Sequence, residues 1–198
     1  MTPTIQQPTS IPASAKPPAH NAHDSAPAGI GEQLNRLRAA VLGANDGIVS
    51  TAAVVVGVAG ATSSTSAIAT AGLAAVVGGA VSMALGEYVS VSSQRDSERT
   101  LGVAEQHQVN PWSAAIASFL SFLLGAILPF AAALVTPEQW RIPAIFALTL
   151  VSLAITGALS AKLGDAPVKR AVARILIGGT LALLATFAVG TLFGQSVA

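Results

Sequence analysis

Residues 38–60, RAAVLGANDGIVSTAAVVVGVAG, decide how this chain is read. Beyond Arg38 the stretch is apolar or small throughout, except for Asn45, Asp46 and two hydroxyls. A run of this length crosses the roughly 30 Å hydrocarbon layer as a helix. An aspartate near the middle of such a helix costs about 2.5–3.5 kcal/mol on insertion scales, so Asp46 requires an explanation.

Four more runs resemble the first. The spans predicted from hydropathy are 38–60, 67–91, 112–135, 142–162 and 171–193, with turn chemistry in TSST, HQVNP, TPEQW and LGDAP between them. The expected fold class is therefore an all-α membrane protein of five transmembrane helices spread over residues 36–198. Composition agrees: of 198 residues, 52% are hydrophobic and 10% charged, against roughly 25% charged in soluble domains. Residues 1–35 differ. They are rich in Pro, Ser, Thr and Ala, lack apolar periodicity, and read as a disordered tail that is not a secretory signal.

Orientation follows from the basic residues. With five crossings, the N-terminus, the 92–111 link and the 163–170 link share one side. That side carries Arg36, Arg38, Arg95, Arg99, Lys162, Lys169, Arg170 and Arg174, whereas the other carries only Arg141. The positive-inside rule places the N-terminus in the cytoplasm and the C-terminus outside it. Tyr88, Trp112 and Trp140 fall at the expected interfaces.

Composition also excludes chemistries. There is no cysteine, and His20, His23 and His107 all lie outside the apolar runs. No thiol or imidazole nucleophile or base enters a span, which argues against an intramembrane enzyme. A net charge of +1 gives no reason to expect a nucleic-acid partner.

Two acids lie within the spans, Asp46 and Glu87. Counting 1.5 Å per residue from the basic edge puts Asp46 about 12 Å deep and Met83 about 10 Å deep, with Glu87 about one turn shallower. Met83 and Glu87 are i and i+4, hence on one face, which Ser90 and Gln94 extend. Carboxylates with a thioether form a donor set suited to soft-to-borderline divalent ions rather than Mg²⁺ or Ca²⁺. The same carboxylates can take protons when the metal leaves. Each residue also has a plainer reading. Asp46 can bond a serine or the backbone as a packing group, Met83 can fill the core, and Glu87 can reach the interface. Small-residue spacings at Gly43 and Gly47, and at Gly78, Ser82 and Gly86, permit close helix packing within or between subunits.

At these residues the chain resembles the vacuolar iron transporter family, which includes yeast calcium-and-iron vacuolar carriers and plant nodulin-21-like proteins. The matching stretches are LRAAVLGANDGIVSTAAVVVGVAGA, AGLAAVVGGAVSMALGEYVSVSSQRDSE and NPWSAAIASFLSFLLGAILPFAAAL. The resemblance implies a homodimer of five-helix subunits in lipid, exporting Fe²⁺ or Mn²⁺ from the cytosol in exchange for protons, with no permanently bound cofactor. It implies that Asp46 and Met83 line the path at the dimer axis and that Glu87 is a ligand at the inner gate. The wording of SVSSQRDSERT points to a bacterial inner membrane, with a vacuolar membrane expected in a eukaryote. Many members insert a cytoplasmic metal-capturing domain between the second and third spans. Here residues 92–110 take its place, with Asp96, Glu98, Glu105 and His107 as candidate donors at the cytoplasmic mouth, so the chain looks like the short, nodulin-like form. The competing expectation is a membrane scaffold whose polar residues only fix helix packing.

Overall fold

A computed structural model describes the backbone of residues 29–197 and the side chains as far as residue 194. Its five long helices are α1 (Ile30–Ala61), α2 (Thr65–Thr100), α3 (Pro111–Val135), α4 (Glu138–Leu163) and α5 (Val168–Val197), with one 3₁₀ turn at Glu105–His107. All five are long and apolar enough to cross a membrane, and no strand occurs among the described residues.

Local chemistry sets the ends. Thr62 is extended and stops α1, and Ser64 accepts a hydrogen bond from Ala67 N to open α2. Asn110 Oδ1 accepts from Trp112 N at 3.0 Å and from Ser113 N at 3.4 Å, with Pro111 at the first helical position of α3. Asp165 takes a left-handed conformation (φ 48°) between α4 and α5, within the LGDAP turn.

Two boundaries correct the sequence reading. α1 begins at Ile30, so residues 30–35, expected to end a disordered tail, are helical. Asn35 is buried there, and Glu32 ties the turn to α3 by accepting hydrogen bonds from Asn110 N (2.7 Å) and Ser113 Oγ. The rest of the expected tail, residues 1–28, lies outside the described residues. α2 also runs beyond the expected edge at 91 as far as Thr100. At 36 residues it is about 54 Å long, well beyond the hydrocarbon layer. SSQRDSERT therefore forms a polar helical extension rather than part of a loop. Hydropathy marks where a helix leaves lipid, and backbone hydrogen bonding continues past that point.

Close contacts fix the direction of every helix. Gly72 lies against Val55 and Phe130, Gly43 against Ser118, and Gly47 against Phe122. Gly57 and Gly60 lie against Thr186 and Phe187, while Gly157 and Gly179 lie against Val172 and Leu153. α1, α3 and α5 are thus parallel to one another and antiparallel to α2 and α4. One end of the bundle gathers Arg36, Arg38, Arg95, Arg99, Lys162, Lys169, Arg170 and Arg174, and the other holds Arg141.

α1 is the central element, in contact with all four other helices. Lipid tails are as apolar as leucine, so close packing rather than exclusion from water must hold these helices together. A Cβ at Gly43 would collide with the Ser118 carbonyl oxygen, one at Gly47 with that of Phe122, and one at Gly125 with that of Ala44. α1 and α3 therefore touch backbone to backbone. Ala52, Val55 and Val56 of α1 complete the seal with Ile68, Ala132, Ala133, Ile145 and Leu183, a cluster drawing on all five helices.

Candidate metal pathway

The α1 face turned away from α3 repeats every fourth residue: Arg38, Leu42, Asp46, Ser50 and Val54. With a face of α2 carrying Gly79, Ser82, Met83, Gly86, Glu87 and Ser90, it lines a cleft of about 540 Å³. The spacing of four places each group one turn above the last. Asp46, Met83 and Glu87 are thus brought to one cleft from two antiparallel helices.

Their surroundings differ. Asp46 is half-buried, and its carboxylate has no hydrogen-bond or ion-pair partner among the described residues. The nearby serine does not serve it, because Ser50 Oγ donates instead to the Asp46 backbone carbonyl at 2.6 Å. Asp46 therefore lacks the bond that would make it a packing group. Met83 is also half-buried and plays a double part. It packs against the cluster of Ala80, Phe122 and Ala126 while lining the cleft.

Glu87 is buried rather than reaching for water, and it is paired. Arg38 Nη1 donates to Oε1 at 3.2 Å and Nη2 to Oε2 at 2.8 Å, a two-pronged contact across 49 residues of sequence. Arg38 Nη2 also donates to Asn35 Oδ1 at 3.2 Å. Because Arg38 lies two turns before Asp46, the pair sits at the basic end of the cleft with Asp46 further in. With Glu87 neutralised by Arg38, Asp46 holds the unpaired negative charge of the cleft.

The polar end of α2 and the link that follows it form no second donor cluster among the described residues. Glu98 accepts from Gln94 Nε2 and Val109 N, both at 3.0 Å, and so fastens the link. Glu105 is exposed, 4.0 Å from Arg95, and Asp96 lies 3.7 Å from Arg99. His107 closes the 3₁₀ turn. Among the described residues no three His, Asp or Glu side chains gather as a metal cage. The cleft alone offers a divalent ion one free carboxylate, one thioether and the hydroxyls of Ser50, Ser82 and Ser90.

The small residues divide in two. Gly43 and Gly47 are filled from within the chain by α3, whereas Gly78 and Gly86 have open space where a side chain would be, and Ser82 is exposed. Beside them Leu73, Val77, Val81, Leu85 and Val89 form an exposed apolar stripe on α2. Sequence reasoning misses Asn35 and the pairing of Arg38, which hydropathy and the positive-inside rule treat only as a topology charge. The available signal was the spacing of four linking Arg38 to Asp46 on one face.

A model of the VIT family matches residues 37–109 and 99–191. "Vacuolar iron transporter homolog 1" of Arabidopsis thaliana is 47% identical over 166 residues, covering 80% of this chain and 83% of the relative. "Vacuolar iron transporter homolog 5" of Oryza sativa subsp. japonica is 41% identical over 185 residues, covering 86% and 89% respectively. "Vacuolar iron transporter homolog 2" of Arabidopsis thaliana is 44% identical over 165 residues.

Proposed function

The chain belongs to the VIT family, and from that premise we propose that it carries divalent transition-metal ions across a membrane through the cleft between α1 and α2. The relatives' names as iron transporters favour Fe²⁺ as substrate, and the thioether of Met83 beside a carboxylate suits Fe²⁺ or Mn²⁺ better than Ca²⁺. The observation that carries the reading is the carboxylate of Asp46, within a spanning helix yet without a hydrogen-bond or ion-pair partner among the described residues. An intramembrane acid without a partner marks an ion or proton pathway more readily than a packing site.

The direction is export from the cytosol, with the basic end facing the cytoplasm under the positive-inside rule. Protons return on the carboxylate that the metal vacates. A second copy of the chain packs on the open α2 face at Gly78, Ser82 and Gly86 and brings a second Asp46 to the path, completing a coordination sphere that one chain leaves short. The membrane is a bacterial inner membrane, or a vacuolar one in a eukaryote.

The test is metal uptake into proteoliposomes under an imposed pH gradient, comparing Fe²⁺, Mn²⁺, Zn²⁺ and Ca²⁺. Wild type is expected to move Fe²⁺ or Mn²⁺ in a gradient-dependent way. Asp46→Ala and Asp46→Asn are both expected to insert normally and move neither. Full uptake by Asp46→Asn would overturn the role given to the Asp46 charge and leave that side chain a hydrogen-bonding group only. No gradient-dependent uptake of any ion by wild type would refute the transporter reading.

A further inference from the structure

The basic end of the cleft already holds a cation, and it belongs to the protein. Glu87 Oε1, Glu87 Oε2 and Asn35 Oδ1 converge on the guanidinium of Arg38 at 3.2, 2.8 and 3.2 Å. A carboxylate able to take a cation on both oxygens, with an amide carbonyl beside it, is a donor set that divalent ions also accept. The two sides of this contact differ in freedom. The Glu87 side chain is 5% exposed and Asn35 8%, whereas the Arg38 side chain is 51% exposed. The oxygens are held in the protein, and the Arg38 side chain is half-exposed.

A buried carboxylate stripped of its partner is strongly unfavourable, so a cation that takes the place of Arg38 is favoured over a bare Glu87. We propose that Asn35 and Glu87 form a divalent-cation site at the mouth of the cleft, and that Arg38 is a tethered placeholder which the incoming ion displaces. This deepens the transport reading by assigning the step before Asp46. With Arg38 seated, the mouth is neutralised and closed. A divalent ion outcompetes the single guanidinium charge, and Arg38 re-seats once the ion moves inward. Alkali ions, with one charge and a weaker hold on the carboxylate, do not displace it. Because the site is free only when Arg38 has left, its apparent affinity is lowered by that fraction.

The experiment measures Mn²⁺ binding to the purified full-length protein in nanodiscs, read from the electron paramagnetic resonance signal of free Mn²⁺. An Asp46→Asn background removes the inner ligand, so that binding reports the mouth alone. Arg38→Gln is expected to tighten Mn²⁺ about fivefold, as suits loss of a half-exposed competing ion pair. Arg38→Lys, which cannot hold both carboxylate oxygens in one fork, is expected to fall between it and wild-type Arg38, and it decides the matter if Arg38→Gln fails to fold. Adding Glu87→Gln to either variant is expected to abolish the gain.

Unchanged or weaker Mn²⁺ binding in the Arg38 variants overturns the proposal, as does a gain that survives Glu87→Gln. Flux assays with Asp46 restored separate the two readings. Tightened binding without metal flux refutes the transporter and leaves the placeholder standing. Normal flux without tightened binding refutes the placeholder alone.

Discussion

Gly47→Ala should damage this protein through packing alone. A methyl group at position 47 would run into the Phe122 carbonyl oxygen, with the carbonyl carbon at 2.8 Å and the Cα at 2.9 Å. Ordinary contact begins near 3.4 Å. α1 and α3 must therefore separate by at least about half an ångström, and both partners are backbone, which cannot rotate aside. Overpacking of this kind costs about 1–3 kcal/mol. Because both clashing groups are backbone, the cost lies in the upper half of that range, about 2–3 kcal/mol; replacing a mid-helix glycine by alanine returns about 1 kcal/mol, so the net loss is about 1–2 kcal/mol. For a chain of this size that lowers the melting temperature by about 2–8 °C, read by thermal unfolding in detergent. Gly178→Ala is the internal control. That glycine is exposed on α5 with nothing within 4 Å of the added methyl, so the variant should melt at or slightly above wild type. If Gly47→Ala matches wild type, or if Gly178→Ala falls as far, the backbone contact between α1 and α3 is not what holds α1 in place.

Two further outcomes follow from side-chain clamps. Arg141 is buried and donates to Ser63 O at 3.2 Å and Thr65 Oγ1 at 2.8 Å, bracing the turn between α1 and α2. Arg141→Ala should lose about 1.5–3 kcal/mol and speed hydrogen exchange in that turn. Arg141→Lys should recover less than half of the loss, because one ammonium does not span both acceptors, and full recovery would contradict the two-point brace. Glu32→Ala removes the acceptor for Asn110 N and Ser113 Oγ. It should cost about 1 kcal/mol and expose residues 101–110 to limited proteolysis, and a cleavage rate equal to that of wild type would show that the link holds itself.

The five helices were legible because an apolar run of about twenty residues admits few structures in lipid. Their polar extensions were not. Ile30–Arg36 and Ser92–Thr100 are helical, yet hydropathy is silent once a helix leaves the apolar layer. Counting residues suggests that Asp46 and Met83 lie at similar heights on neighbouring helices, and the two line one cleft. The lateral face was harder, since antiparallel neighbours can meet at any rotation, and only the repeat of four from Arg38 through Asp46 to Val54 carried that information. Least visible was the partner of Glu87. Nothing in GEY announces an arginine 49 residues earlier, because an ion pair between helices depends on how both turn within the bundle. Gly43, Gly47, Gly78 and Gly86 look alike in sequence, yet the first two face α3 and the last two face open space. Spacing identifies a face able to pack closely without saying what packs there.

The contact between α1 and α3 bears on how mutational data for this protein should be read. Asp46 sits between Gly43 and Gly47, so a scan of the GANDG segment would find intolerance at 43, 46 and 47 and suggest one functional motif. Two unrelated constraints are superimposed there. The glycines are fixed by the thickness of a neighbouring backbone, and the aspartate by a carboxylate that has no partner among the described residues. Transport per cell would fall in all three cases. Transport per correctly folded molecule should fall most sharply for Asp46 alone, so abundance and turnover must be scored separately before tolerance at these positions is read as chemistry.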